Sequence, residues 1–151
     1  MSAVEVMITS RNLPLRARRE KSGNRRRAAG IFLDHATRDP DFAWNPELIG
    51  ILGRLPESDS LPVFRKLWDN LGLRESIVAQ LARDPRSEDR AKFLEELHSP
   101  QLATVGLCVD ALQKLPPKNG PGELLPLVRT MRRLQGGKEE DRLRDRVGIL
   151  L

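Results

Sequence analysis

Three stretches determine the predicted fold: LIGILGRLP at 48–56, IVAQLARDP at 77–85 and CVDALQKLP at 108–116. Aligned on the final proline, each has leucine four positions earlier, a β-branched residue seven positions earlier and an apolar residue eight positions earlier. These three positions share one face of an α-helix. A base stands two positions before each proline, where it would complement the helix dipole before the proline ends the helix. The pattern predicts three equivalent helices that bury Leu52, Leu81 and Leu112.

A second amphipathic helix is predicted in each interval between these prolines, which lie 29 and 31 residues apart. Apolar residues recur at helical spacing in the segments Leu61–Leu71, Ala91–Leu97 and Leu124–Leu134. Helix starts are marked by Asn45-Pro46, Ser60-Leu61-Pro62 and Ser99-Pro100, and Ser87 is a further cap. The predicted helices are 24–37, 46–55, 59–71, 74–83, 88–98, 101–115, 122–135 and 139–151. Few windows alternate with a period of two, so no strand is predicted.

Helix pairs that repeat at a short period are the signature of an α-solenoid, in which each pair buries its apolar face against its neighbours. The sequence therefore predicts an all-α fold, a short right-handed α-solenoid of stacked antiparallel helix pairs. An irregular helical bundle is the structural alternative. The repeat domain is predicted over residues 24–151, after a basic and poorly ordered segment at 1–23.

Two short elements carry a resemblance to a known superfamily. The stretches DPRSEDR at 84–90 and SPQL at 99–102 each open a helix after an acidic or proline turn. In this they resemble the HEAT/armadillo-like superfamily over about residues 45–151, although these units are shorter than the usual HEAT repeat of about 40 residues. The resemblance implies a HEAT-like scaffold or binding surface.

A weaker resemblance, over Arg83–Leu134, is to the helical repeats beside c-type haem domains in some bacterial secreted proteins. The haem attachment motif Cys-x-x-Cys-His is missing, since Cys108 is followed by Val109 and Asp110. The resemblance therefore carries no haem-binding residue over to this chain, and no cofactor is predicted.

The residues that catalysis most often uses show no catalytic spacing here. The two histidines, His35 and His98, lie far from Cys108, the single cysteine, which sits in an apolar run and is predicted to be buried. Acidic pairs such as Glu88-Asp89 fall at predicted helix starts, where the helix dipole stabilises them. The segment Gly136-Gly137-Lys138 is predicted to be a turn. We expect no catalytic residue, no metal site and no enzyme activity.

The strongest functional candidate is the basic head of the chain. Residues 1–30 hold eight bases and two acids, a net charge of +6, whereas the total is +5, so residues 31–151 sum to −1. The candidate contacts to nucleic acid or an acidic partner are Arg16, Arg18, Arg19, Lys21, Arg25, Arg26 and Arg27. Such bases neutralise phosphates, but no aromatic residue is interleaved for stacking on bases. The leading hypothesis is therefore a non-catalytic protein–protein interaction module or scaffold, and nucleic-acid binding is the alternative.

Both ends of the chain carry further expectations. No stretch approaches the roughly 20 apolar residues of a membrane span, and Arg11 and Arg16 interrupt any signal core, so a cytoplasmic location is expected by default. At the other end, aligning Val147 with Val109 places the next terminal proline at position 154, beyond Leu151. The alignment therefore predicts that the chain is either a piece of a larger protein or a protein that self-associates through its C-terminal end.

Overall fold

A computed structural model describes residues 15–118 and 120–151, with side chains from residue 23 onward except that of Arg25. Within these ranges the chain contains α-helices and 3₁₀ helices but no strand, which confirms the predicted all-α class. The chain divides into two units, the first ending at Ala43 and the second beginning at Trp44.

In its described residues the first unit contains one long helix, α1, at Leu15–Arg38. Its last part corresponds to the predicted helix at 24–37, but the prediction of a poorly ordered segment at 1–23 does not anticipate a helix from Leu15. The residues before Leu15 lie outside the described part of the chain. Near the end of α1, Arg38 pairs with Asp34 at 2.9 Å, the i,i+4 spacing that brings helical neighbours together. The rings of Phe32 and Phe42 meet edge to face, with centroids 5.6 Å apart.

The second unit contains seven α-helices in its described residues. They are α2 (Pro46–Leu52), α3 (Glu57–Lys66), α4 (Arg74–Leu81), α5 (Arg90–Glu96), α6 (Leu102–Lys114), α7 (Pro121–Arg133) and α8 (Lys138–Gly148). Two 3₁₀ helices, Leu71–Leu73 and Ser87–Asp89, lead directly into α4 and α5. The predicted turn between α7 and α8 is confirmed, and Gly136 there has a φ of 137°, a conformation that favours glycine.

Some of the predicted helix starts are confirmed and others are wrong. Asn45 caps α2 as predicted, since its side chain accepts a hydrogen bond of 2.9 Å from the Leu48 amide. Ser60 does not cap α3, which begins at Glu57 because Pro56 supplies a fixed φ and needs no amide partner at a helix start. Ser87 makes no capping hydrogen bond either and instead begins a 3₁₀ helix.

The prediction that a proline ends each of the three aligned helices is also wrong for the first two of the aligned stretches, 48–56 and 77–85. Helix α2 ends at Leu52 and α4 at Leu81, so the bases before the prolines lie beyond the helix. The reason is that a short turn with right-handed helical backbone angles closes each helix before the proline is reached. The Arg83 guanidinium uses this position to donate a 3.0 Å hydrogen bond to the Gly53 carbonyl, which joins the end of α4 to the end of α2.

The repeat alignment itself agrees with the observed core. As predicted, Leu52, Leu81 and Leu112 are almost completely buried. The β-branched residues seven positions before the prolines, Ile49, Val78 and Val109, are fully buried as well. At the third aligned position, Ile77 and Cys108 are buried but Leu48 is only half-buried, so the three stretches agree at two of the three positions.

The helices pack in two series. Helix α2 packs on α4, α4 on α6 and α6 on α8, while α5 packs on α7; contacts between α5 and α6 and between α7 and α8 join the two series. Helix α3 belongs to neither series by these contacts, so the stack of helix pairs stays a prediction. The right-handed solenoid stays a prediction as well.

The apolar stripe of the second helix in each pair is only partly as predicted. Leu71 is 73% exposed, because α3 ends at Lys66 and Leu71 begins a 3₁₀ helix with a different phase. Ala91 is exposed and the neighbouring Arg90 is buried instead. Leu124 is exposed too, whereas Leu127 and Leu134 are buried as expected.

Two consecutive residues at the start of α5, Asp89 and Arg90, connect this helix to α3 and α7. The carboxylate of Asp89 is 1% exposed and accepts hydrogen bonds of 3.0 and 2.8 Å from Arg65 on α3. The guanidinium of Arg90 donates hydrogen bonds of 2.7 and 2.8 Å to Glu123 on α7, and a third of 3.0 Å to the Pro116 carbonyl. The expectation that Asp89 serves only a helix dipole is therefore wrong, because a buried carboxylate needs a charged partner.

The acidic members of these pairs are held in the ionised form. Burial alone would raise the pKa of Asp89, but the hydrogen bonds and charge of Arg65 outweigh it and leave the pKa below its ordinary value of 3.8. The hydrogen bonds from Arg90 likewise lower the pKa of Glu123. Both pairs are therefore fully formed at neutral pH.

Replacing Leu81 with Ala should lower the free energy of unfolding by about 2–5 kcal/mol, as truncation of a buried leucine does. Leu71→Ala is the matched control, since the same atoms are removed from an exposed site. Urea denaturation of both variants measures the difference. Equal losses would show that the repeat alignment does not identify the core.

Asp89→Asn should lower the free energy of unfolding at neutral pH by about 1.5–3 kcal/mol, because hydrogen bonds to a charged group are lost. Since the folded pKa of Asp89 lies below 3.8, the unfolded chain takes up its proton first as the pH falls. The stabilisation is thus present above about pH 4 and lost as the pH falls through the folded pKa. The difference in the free energy of unfolding between wild type and Asp89→Asn should therefore become smaller at acidic pH. Asp69→Asn, at an exposed position, should show neither effect.

Candidate functional site

The predicted contact residues all lie in the first unit, within α1. Of the seven, the structure describes the side chains of Arg26 and Arg27, and both are exposed. The other five side chains lie outside the described residues. Their role in binding stays a prediction.

A candidate site in the second unit is built around Trp68, a buried residue within the apolar segment predicted at Leu61–Leu71. Its indole Nε1 donates a 3.0 Å hydrogen bond to Glu95 on α5. The guanidinium of Arg74 lies over the indole ring, 4.9 Å from its centroid, and donates a 2.7 Å hydrogen bond to Glu95 and a 3.0 Å hydrogen bond to the Trp68 carbonyl. A second ion pair of 3.4 Å joins Arg74 to Glu96. These contacts fix the side chains at the start of α4 and along α5 in one arrangement.

Arg74, Glu95 and Glu96 line one wall of an open cleft of about 560 Å³, and Trp68 lies behind this wall in contact with Arg74 and Glu95. The cleft lies between the 3₁₀ helix that leads into α4 and the segment that follows α5. Its lining residues are Leu71, Gly72, Arg74, Glu75, Glu95, Glu96, His98, Ser99 and Pro100. Three glutamates and one arginine give the lining a net charge of −2, with His98 neutral.

The glutamates of the cleft are exposed to different degrees. Side chains of Glu95 and Glu96 are 50% and 12% exposed, and Glu75 is exposed as well. The hydrogen bond from Trp68 is the main cause that lowers the pKa of Glu95 below its ordinary value, and the hydrogen bond and charge of Arg74 lower it further. The cleft therefore presents negative charge to solvent at neutral pH.

The cleft places His98, Ser99 and Glu75 close together, a combination that hydrolases use. The geometry differs from that of a catalytic triad, in which the histidine accepts the serine proton. Here the Ser99 hydroxyl is buried and donates to Glu75 at 3.2 Å, while it accepts a 3.1 Å hydrogen bond from the Gln101 amide. The His98 Nδ1 instead lies 3.1 Å from the Glu95 carbonyl. The Ser99 side chain thus serves the start of α6.

The single thiol, Cys108, is fully buried on α6 as predicted. Burial raises the pKa of Cys108 to about 12, with a smaller contribution from the charge of Glu96. The thiol is therefore protonated at neutral pH. Among the described residues, no group of three or more His, Cys, Asp or Glu side chains is placed to hold a metal ion.

Some members of this site could be found from the sequence and others could not. Trp68 lies on a predicted apolar stripe, and Glu95-Glu96 stands out as a carboxylate pair. Their meeting could not be predicted, because Trp68 and Glu95 are 27 residues apart and no local pattern relates them. Leu71 was expected in the core, and its exposure follows from the early end of α3.

Compared with models of protein families, with curated proteins and with solved structures, the chain shows no match. Its likeness to the HEAT/armadillo-like superfamily therefore stays a hypothesis, as does the expectation that it is not an enzyme. In the part of the chain that the structure describes, no helix is both long and apolar enough to cross a membrane. The expected cytoplasmic location stays a prediction.

Trp68→Phe should raise the pKa of Glu95 toward its ordinary value of 4.5, because it removes the hydrogen bond that contributes most to the lowering. Titration of the side-chain carboxyl carbons by NMR measures this pKa. Glu123 is an internal control, since its pKa depends on Arg90 and not on Trp68. An unchanged Glu95 pKa would show that Trp68 does not hold this carboxylate in solution.

Proposed function

We propose that this chain is a non-catalytic, HEAT-like helical-repeat module that binds a protein segment in the cleft beside Trp68. The observation that supports this most directly is an open cleft whose wall is fixed by Trp68 and Arg74 and whose charge is negative. A surface that is already ordered loses little conformational freedom when a partner binds, and this favours recognition.

The lining of the cleft indicates the chemistry of the partner. Glu75 and the exposed half of Glu95 attract a lysine or arginine side chain. The apolar surfaces of Leu71 and Pro100 can cover the methylene stem of such a side chain, since long basic residues bury their stems and expose their charge. A basic, extended protein segment fits both features. Nucleic acid does not, because its phosphates carry the same sign of charge as the cleft.

A second function, nucleic-acid binding, is favoured by a separate observation on the first unit. All seven of the predicted basic contacts lie within the single helix α1, and both of the described side chains among them, Arg26 and Arg27, are exposed. Bases on one helix can follow a phosphate backbone and release counterions. Binding of this kind weakens steeply as salt is raised.

Two substitutions in the cleft should weaken capture of a protein partner by the full chain. Glu75→Gln keeps the hydrogen bond from Ser99 but removes the charge, and it should reduce affinity roughly fivefold, as loss of about 1 kcal/mol does. Leu71→Ser removes the apolar cover. Affinity capture followed by quantitative mass spectrometry measures recovery of the partner with and without nuclease.

The matched control is Ile51→Ser, at an exposed apolar residue of α2 outside the cleft. A protein recovered equally well after nuclease and lost in both cleft variants but not in the control supports the proposal. Recovery that disappears with nuclease, and in Arg26→Gln with Arg27→Gln rather than in the cleft variants, would favour nucleic-acid binding instead.

A further inference from the structure

Helix α7 has an apolar side that no described helix covers. The buried residues Leu127, Thr130 and Leu134 mark the side of α7 that packs on α5 and α8. Leu125 stands nine residues before Leu134, which at about 100° per residue places it on the opposite side of the helix. Leu125 is 52% exposed, Leu124 is exposed and Val128 is half-buried. Leu125 and Val128 lie three residues apart on this side, and neighbouring apolar side chains that stay uncovered mark a candidate contact surface.

Two exposed bases continue this side of the helix toward its C-terminal end. Leu125, Val128, Arg129 and Arg132 follow i, i+3, i+4, i+7 spacing, so they form one stripe, called here the α7 stripe. Neither arginine takes part in an ion pair within the described residues. The α7 stripe is therefore apolar at its start and basic at its end.

Helix α8 carries a stripe with the opposite order. Asp141, Asp145 and Ile149 lie at intervals of four residues, and this set is the α8 stripe. Ile149 is 76% exposed and keeps helical backbone angles just after the last residue of α8. Asp141 pairs with Arg144 at 3.0 Å but remains half exposed, and Asp145 has no ion pair among the residues described. The two acids of this stripe precede its apolar residue, and the same side of α8 also carries exposed Arg142 and Arg146, which pairs with Asp110.

We infer that the α7 stripe of one copy of this chain binds the α8 stripe of a second copy, with the two helices antiparallel. In that register Leu125 meets Ile149. Arg129 stands four residues after Leu125 and Asp145 four residues before Ile149, so both lie about 6 Å along their helices and face each other. One apolar pair, Leu125 with Ile149, then comes together, and one base faces one acid four residues away. Because the two stripes are different surfaces, the contact is heterologous, and each copy offers one of each.

One like-charged pair in this register provides a sharper test. Arg142, exposed on the same side of α8, falls opposite Arg132 of the neighbouring copy, since both stand seven residues from the paired apolar positions. This repulsion should limit the affinity. Arg142→Glu should therefore strengthen association by several fold. Non-specific association of apolar surfaces would not respond in this way.

Sedimentation of the full 17.1 kDa chain tests the inference. We expect a monomer that associates reversibly over roughly 10–500 μM, as contacts of modest area do. Leu125→Glu should weaken association about tenfold or more, because it places a charge at the centre of the apolar contact. Ile51→Glu is the matched control, with a similar exposure of 55% on α2, and it should leave association unchanged.

A mixing experiment separates a specific contact from a damaged fold. Leu125→Glu retains an intact α8 stripe, and Ile149→Glu retains an intact α7 stripe, so each variant alone should remain monomeric. Mixed in equal amounts, they should form a 1:1 heterodimer through the one remaining contact. A wild-type chain that stays monomeric over the whole range, a mixture that does not associate, or an equal effect of the Ile51 control would overturn the inference.

Discussion

The arrangement of the second unit depends on the two ion pairs made by Asp89 and Arg90. A buried charge is costly to remove from water, and the cost is offset here by paired hydrogen bonds in which each guanidinium faces both oxygens of a carboxylate. Since the two residues are adjacent in the chain but bind α3 and α7 respectively, a shift of α5 would break both pairs. The Asp89-Arg90 dipeptide thus joins the start of α5 to both α3 and α7.

Arginine makes several further links between helices of the second unit. Arg83 donates to the Gly53 carbonyl, Arg133 to the carbonyls at the end of α5, and Arg146 pairs with Asp110. In each case a planar group with several donors reaches a carbonyl or carboxylate about thirty residues away in sequence. Lysine could supply the charge but not the fork of donors that satisfies two acceptors together. The many arginines of the chain therefore serve the fold as well as its surface charge.

The apolar register of the repeat could be predicted because burial imposes it directly. Leu52, Leu81 and Leu112 are buried at equivalent positions, and the helix boundaries follow within a few residues. The Asp89–Arg65 pair could not be predicted, since an acid near a helix start has the same local pattern whether it serves the dipole or a distant base. The cleft was missed for a related reason. It exists because α3 ends at Lys66, and the 3₁₀ helix that follows brings Leu71 to the surface.

The buried thiol of Cys108 has a consequence for following the molecule in solution. Its side chain is inaccessible and its pKa of about 12 leaves almost no thiolate at neutral pH, so two separate barriers protect it from alkylating reagents. Both barriers disappear together when α6 leaves its neighbours. Because the chain has one cysteine, the rate of alkylation reports a single event, the opening of the central helix, without any engineered label.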